Sequence, residues 1–389
     1  MLRILHTADV HLGARHADMG EQAAAQRDRQ FAAFRASVEL AIQEKVDVVL
    51  IVGDLFDSNT QPKRSVERVA AELRRLVEAR IRTVIIPGTH DVYDRSSIYR
   101  AYDLKAMSGS GPEDDLVTIL SPERPDVHLA SNDAVVYGTV FATKRAPRSP
   151  LAGLDAAKDE RATWKIGLVH GSLAIAGKTD GDEVVVTREE IAASGLHYLA
   201  LGHWHSSQVG KSGGTTYAYS GAPEPVALDQ DRAGKVLLVT LDDAGGDRSH
   251  ARVEERQVGR TVFQQLEVDA GKIATQAQLI EGLLKGRNPD LVLDVRIIGV
   301  RPDALDLDTD EVEAQLRGAF FRVRVRDRST PALTEGALPS PDTIAGAFLR
   351  DVEARIAELE AAGDVPAAEE LRDVLRLGRL LLAGQEVSL

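Results

Sequence analysis

Residues 46–57, VDVVLIVGDLFD, constrain the fold more than any other stretch of the chain. Val48, Val49, Leu50, Ile51 and Val52 form an unbroken apolar run, too short for a membrane span and too β-branched for a comfortable helix. Such a run fits a strand covered on both faces, as in a parallel sheet. Gly53 ends it, and Asp54 follows at its carboxyl end, the edge where open α/β sheets bind ligands. A carboxylate there is costly unless something positive neutralises it, and a divalent cation is the usual answer.

The arrangement recurs. Apolar strands run into Asp9-x-His11, Gly53-Asp54-x-x-Asp57, Gly88-Thr89-His90-Asp91, His170-Gly171 and Gly202-His203-Trp204-His205, which hold five of the ten histidines. Taken alone, an Asp-x-His after a strand is more often structural, and Asp57 reads equally well as a helix cap. His6, His128 and His197 read as hydrogen-bonded core. The set as a whole differs, because a purely structural explanation would need many buried charges without partners. Alternate residues of an extended segment point the same way, so Asp9 and His11 can grip one ion while His203 and His205 approach neighbouring ions. With no cysteine in the chain, any metal is held by oxygen and imidazole nitrogen.

At 389 residues the chain is long enough for two or three domains. The first half predicts strands at 2–6, 48–52 and 83–86 and helices at 21–45 and 64–79. Residues 116–258 predict short strands at 117–120, 134–137, 166–169, 198–201, 215–219, 236–241 and 252–258, forming a second sheet stacked on the first. The class is therefore α/β: a two-sheet sandwich flanked by helices, occupying residues 1–258. Residues 259–328 follow a βαβαβ order expected of a small capping domain, and 329–341 read as a linker. Within 342–389 a helical hairpin is expected, with Ser340 capping its first helix and Asp364 its second. The amino terminus lacks a long apolar segment, so a cytoplasmic, membrane-free protein is expected. A net charge of −13 argues against a uniformly basic nucleic-acid-binding surface.

The ordered clusters, with ILHTADVHLG at the start, GDLFD, GHWH and YSGAPEP at 219–225, resemble the calcineurin-like metallophosphoesterases. Within them the likeness is greatest to SbcD-type DNA repair nucleases, over roughly residues 1–328. The resemblance implies two divalent ions, usually manganese, with magnesium or iron as alternatives. One would be held by Asp9, His11, Asp54 and His205. The second would be held by Asp54, His170, His203 and the residue at position 89, with Asp54 bridging. His90 would assist transfer without binding metal, and Asp91 would orient it; apart from the resemblance, Asp57 is read as supporting the ligands from behind. Position 89 departs from the family's Gly-Asn-His-Asp pattern, since a threonine hydroxyl is a shorter and weaker donor than a carboxamide; looser binding of the second ion, or binding through a water, is expected. Two ions of this kind clamp the attacking and leaving oxygens of an in-line displacement at phosphorus.

The resemblance further implies a DNA exonuclease (3′–5′, on duplex) with single-strand endonuclease activity. Its partners would be DNA, an SbcC-type coiled-coil ATPase docking on the helical element, and, as a further option, a second copy of the chain. Independent of the resemblance, Arg322, Arg324, Arg326 and Arg328 alternate with Val323, Val325 and Asp327, placing four guanidiniums on one face of a strand suited to a phosphate backbone. A charged edge strand that resists aggregation is an equal reading of that stripe. Leu375, Leu377, Leu380, Leu381 and Leu382 surround the last helix more completely than one neighbour requires. Two other functions compete: a small-molecule phosphatase or phosphodiesterase, and a DNA-binding subunit with weakened catalysis.

Overall fold

The structure, a computed structural model, describes residues 1–111, 114–175, 179, 184–230, 232–243, 251–302, 305–331 and 339–382, without the side chains at 376 and 380. It comprises two compact units, Met1–Phe263 and Gln264–Leu389.

In the first unit the central strand Val48–Val52 is buried along its whole length, and its alternation sorts the core into layers. Val48, Leu50 and Val52 pack with Ile4, Val84, Ile86, Ile166, Leu168 and Ala200 between two sheets. Val49 and Ile51 face the other way, onto Phe34 and Val38 of helix Ala23–Gln43 and Val66, Val69 and Leu73 of helix Lys63–Glu78. Burying each such side chain contributes on the order of 1.5–3 kcal/mol, so both layers depend on this strand.

The first sheet runs, edge to edge, Ala251–Gln257, Lys235–Leu241, Leu2–Thr7, Val48–Val52, Arg82–Ile86, Val117–Ile119. The last four of these are mutually parallel, and the first two join antiparallel. The second sheet runs Gln208–Ser212, Thr215–Tyr219, Tyr198–Gly202, Trp164–His170, Ala134–Tyr137, Asp126–Leu129, with a parallel centre and antiparallel edges. The stacked α/β sandwich is as expected, but the strands at 117–119, 235–241 and 251–257 belong to the first sheet. The chain returns after completing the second sheet, and Lys235–Leu241 pairs with the amino-terminal strand. The edge strands Asp126–Leu129 and Gln208–Ser212 were not anticipated, because their half-exposed polar sequences lack an apolar run.

The second unit continues the strand Val262–Asp269 into helix Gln276–Leu284, strand Asn288–Ile298, helix Thr309–Leu316 and strand Phe320–Asp327. Its three strands form one sheet, over whose core Val295, Ile297, Val312 and Leu316 are fully buried. Within the span read as a linker, Thr330–Pro331 pairs with Val300–Arg301, while 332–338 lie outside the described residues. Two helices follow, Ile344–Ala361 and Val365–Leu382. They pack together, with Gly378 against the Phe348 ring and Arg379 2.5 Å from Glu353. Asp364 caps the second helix as expected, its Oδ1 accepting from the Ala367 amide at 3.3 Å. The first is capped by Thr343, not Ser340: the Thr343 hydroxyl accepts from the Gly346 amide, while Ser340 lies before the helix with its carbonyl taken by Thr343. No described helix is long and apolar enough to cross a membrane.

Candidate metal centre

The carboxyl ends of the parallel strands converge from both sheets. Gly202 and His170 are in register on neighbouring strands. The turns after Leu2–Thr7 and Val48–Val52 are joined by backbone hydrogen bonds, from Asp9 N to Gly53 O at 3.2 Å and from His11 N to Asp54 O at 2.8 Å. These turns are strained: Asp9, His11, Asp54 and His203 have φ of 54°, 49°, 49° and 100°. Left-handed backbone in residues other than glycine costs of order 1–3 kcal/mol each and persists where the surroundings enforce it. Close approach also requires glycine. At Gly53, with φ +79°, a Cβ would fall 2.1 Å from His170 Nδ1, and at Gly88 one would fall 2.3 Å from Asp54 Oδ1.

Asp54 lies at the centre, buried. Its Oδ2 is 3.1 Å from His170 Nε2 and 3.7 Å from His11 Nε2, and its Oδ1 accepts from the His90 amide at 2.7 Å. Asp9, also buried, accepts at 2.9 and 3.0 Å from the His203 amide and lies 3.9 Å from His170 Nδ1. His170 Nδ1 is 3.0 Å from the Val52 carbonyl, to which it donates, so Nε2 is directed at Asp54. That Nε2 is buried, with the Asp54 carboxylate as its neighbour. His11 and His205 face one another through Nε2 atoms 3.2 Å apart. Donor atoms of Asp9, His11 and His205 form one group within metal-coordinating reach, and those of Asp9, Asp54 and His170 form another. Lone pairs aimed at each other in a buried space require a cation or protons between them. The donor set, carboxylate oxygen and imidazole nitrogen alone, fits hard to borderline divalent ions.

The electrostatics agree. Burial alone would lower His170, but the Asp54 and Asp9 carboxylates outweigh it and raise it to about 10. Burial would raise Asp54, yet the neighbouring imidazoles hold it well below the usual carboxylate range. Burial and Asp54 together push Asp9 up to about 6 despite His170. His205, half-buried beside His11, is lowered to about 3 by desolvation and by that imidazole. In the absence of a cation, the carboxylates hold protons on the neighbouring imidazoles, the place a bound cation would take.

Of the residues singled out in the sequence, Asp9, His11, Asp54, His170 and His205 are gathered directly. His203 joins by its amide and by its ring, 5.4 Å from that of His170, though no described three-donor group includes it. The Thr89 hydroxyl is 3.5 Å from Asp54 Oδ2, which places it beside the centre. Asp91 lies under the same loop. Its carboxylate is buried and accepts from the Gly88 amide at 2.7 Å, the Phe56 amide at 3.2 Å and the Tyr99 hydroxyl at 2.6 Å. It fastens the loop carrying His90 and makes no described hydrogen bond with that ring. Asp57 does touch it: His90 Nδ1 is 2.9 Å from the Asp57 carbonyl and 3.8 Å from its carboxylate, whose other neighbour is His11 Nδ1 at 3.4 Å. Asp57 caps no helix, since the next begins at Lys63.

Two contributors were not found from the sequence. Gln230 reaches His205 Nδ1 at 2.5 Å, while its carbonyl accepts from the Val226 amide. Tyr99 holds Asp91. Neither sits in a glycine-flanked cluster, so no local signal marked them. The arginine stripe lies on Phe320–Asp327 and the residue after it. Arg326 is taken up by the buried Asp294, Nε to Oδ1 at 3.1 Å, whereas Arg324 and Arg328 are exposed and Arg322 is half-buried.

Fold and site together define a phosphoesterase with candidate divalent-metal ligands. The family model for calcineurin-like phosphoesterases matches residues 2–207, just over half of the chain, and the chain belongs to that family. It is 30% identical to the DNA double-strand break repair protein Mre11 of Aeropyrum pernix, over 70% of this chain and 64% of that protein. Against the Mre11 of Sulfurisphaera tokodaii the figures are 29%, 63% and 60%. Against the uncharacterized metallophosphoesterase YhaO of Bacillus subtilis they are 24%, 90% and 87%. The chain thus spans less than two thirds of the length of these two Mre11 proteins.

Proposed function

We propose that the chain is a metal-dependent DNA nuclease acting in DNA repair. The observation that carries this reading is the convergence of Asp9, His11, Asp54, His170 and His205 into two donor groups, in a chain similar to Mre11 proteins. Asp9, His11, Asp54 and His205 would hold one ion, and Asp54, His170, His203 and Thr89 the other. When bound, such ions polarise the phosphoryl group and make water a competent nucleophile. The chain's own residues do the rest. His90, nearly half exposed and in contact with Asp57, would stabilise or protonate the departing oxygen. Asp91 and Tyr99 keep the backbone under His90 and Thr89 in place. No covalent intermediate is needed where water is the nucleophile.

We further propose manganese as the working metal, 3′–5′ duplex exonuclease and single-strand endonuclease activities of the SbcD type, and a cytoplasmic setting. An SbcC-type ATPase would dock on the two C-terminal helices, where Ile344, Val365, Leu381 and Leu382 are exposed. Exposed Arg324 and Arg328 would contact phosphates, and self-association is a further option. A phosphatase acting on small phosphoesters is the second reading, favoured by the net charge of −13 and by the neutralisation of Arg326. Linear duplex DNA and p-nitrophenyl phosphate, each incubated with manganese and with chelator, separate the two. The nuclease reading expects manganese-dependent loss of duplex and little release of nitrophenol. Efficient phosphomonoester hydrolysis with intact DNA refutes it.

A further inference from the structure

We propose that the cavity beside His203 and His205 receives one nucleoside of the substrate, its base stacked on Trp204; the proposal rests on the nuclease reading above. The cavity measures about 610 Å³, and its lining includes both histidines, Trp204, Gln208, Asp229, Gln230 and Arg232. That volume lies within the usual range of small-molecule sites, and two of its lining residues, His203 and His205, come from the strand-end cluster at the candidate metal centre.

Trp204 is a prepared platform. One face of its indole is covered by Tyr219, with centroids 4.7 Å apart and planes at 16°. Its Nε1–H donates to Ser172 Oγ at 3.2 Å, which fixes the ring in its own plane. Tyr219 is itself pinned, its hydroxyl accepting from the Leu173 amide at 2.7 Å and donating to the Gly171 carbonyl at 2.9 Å. An aromatic ring held on one face and one edge while lining a cavity is suited to a flat π-surface on its other face. Base stacking of that kind tolerates all sequences, because every base presents a π-face. The Gln208 carboxamide, which makes no described side-chain hydrogen bond, supplies a donor and an acceptor for a base edge. A phosphorylated sugar without a base would leave the indole face uncovered, so the geometry points to a nucleotide unit.

The chain has two tryptophans, so Trp164→Phe leaves Trp204 as the sole indole, excited selectively above the tyrosine absorption band. With magnesium present, deoxyadenosine 5′-monophosphate is expected to quench that emission saturably, and ribose 5-phosphate is not. In the otherwise native chain, Trp204→Leu is expected to lower about tenfold the ratio of kcat/KM for thymidine 5′-(p-nitrophenyl phosphate) to that for methyl p-nitrophenyl phosphate, with partial recovery in Trp204→Phe. Equal quenching by both phosphates, no quenching by either, or an unchanged ratio overturns the pocket even where duplex DNA is digested. Selective quenching in a chain that leaves DNA intact keeps the nucleoside pocket and refutes the nuclease reading instead.

Discussion

At the scale of single residues, Asp54 and His170 carry the account, and their coupling predicts a pH effect. Without metal, the Asp54 and Asp9 carboxylates overcome burial and hold His170 at about 10, against an ordinary 6.5. A folded-state pKa raised above the unfolded one contributes stability that is complete below about pH 6.5 and fades as pH rises toward 10. A bound cation replaces that proton. The melting temperature of the chelated protein is therefore expected to fall between pH 6.5 and 9, while that of the manganese-loaded protein falls less; parallel curves would count against a cation beside His170. Thr89 offers a second test. Its hydroxyl stands where the family pattern has a carboxamide, so Thr89→Asn is expected to tighten the weaker of two manganese-binding steps severalfold in calorimetric titration, and an unchanged isotherm would exclude Thr89 from that position. His90 and Asp57 form a third. His90→Ala is expected to leave manganese affinity near normal and to slow turnover on the order of a hundredfold or more. Equal loss of both would make His90 a ligand, which its place with His11 and Asp57 in a third donor group would then explain.

At the scale of elements, the strand ends do the positioning, and glycine permits it. Gly53→Ala would force a Cβ into the His170 ring at a φ of +79°, and is expected to cost more than about 1 kcal/mol in denaturant unfolding while weakening metal binding. An unchanged midpoint would mean that the turn is looser than the contacts imply. Much of this level was legible beforehand. The run of Val48 to Val52 demands cover on both faces, and each metal-site cluster announces itself by following such a run. What was not legible depended on distant partners. Asp91 adjoins His90 in sequence, yet its carboxylate points into the loop toward Tyr99, and Asp57, three residues beyond Asp54, supports the imidazole instead. Gln230 reaches His205 from a segment without sequence signature. Membership of the strands at 235–241 and 251–257 in the first sheet is decided by pairing with Leu2–Thr7, which no local pattern encodes.

At the scale of the whole molecule, two stacked sheets turn the carboxyl ends of their parallel strands toward one rim and gather side chains from residues 9 to 205 there. Strain at Asp9, His11, Asp54 and His203 is tolerated because hydrophobic layers on both sides of the central strand hold those ends in place. Anomalous diffraction from crystals soaked in manganese tests the central claim most directly. Two peaks about 3.5–4 Å apart are expected, one among Asp9, His11 and His205, the other against His170 and His203, with Asp54 reaching both and the second peak the weaker. Absence of any peak between Asp54 and His170 would contradict it.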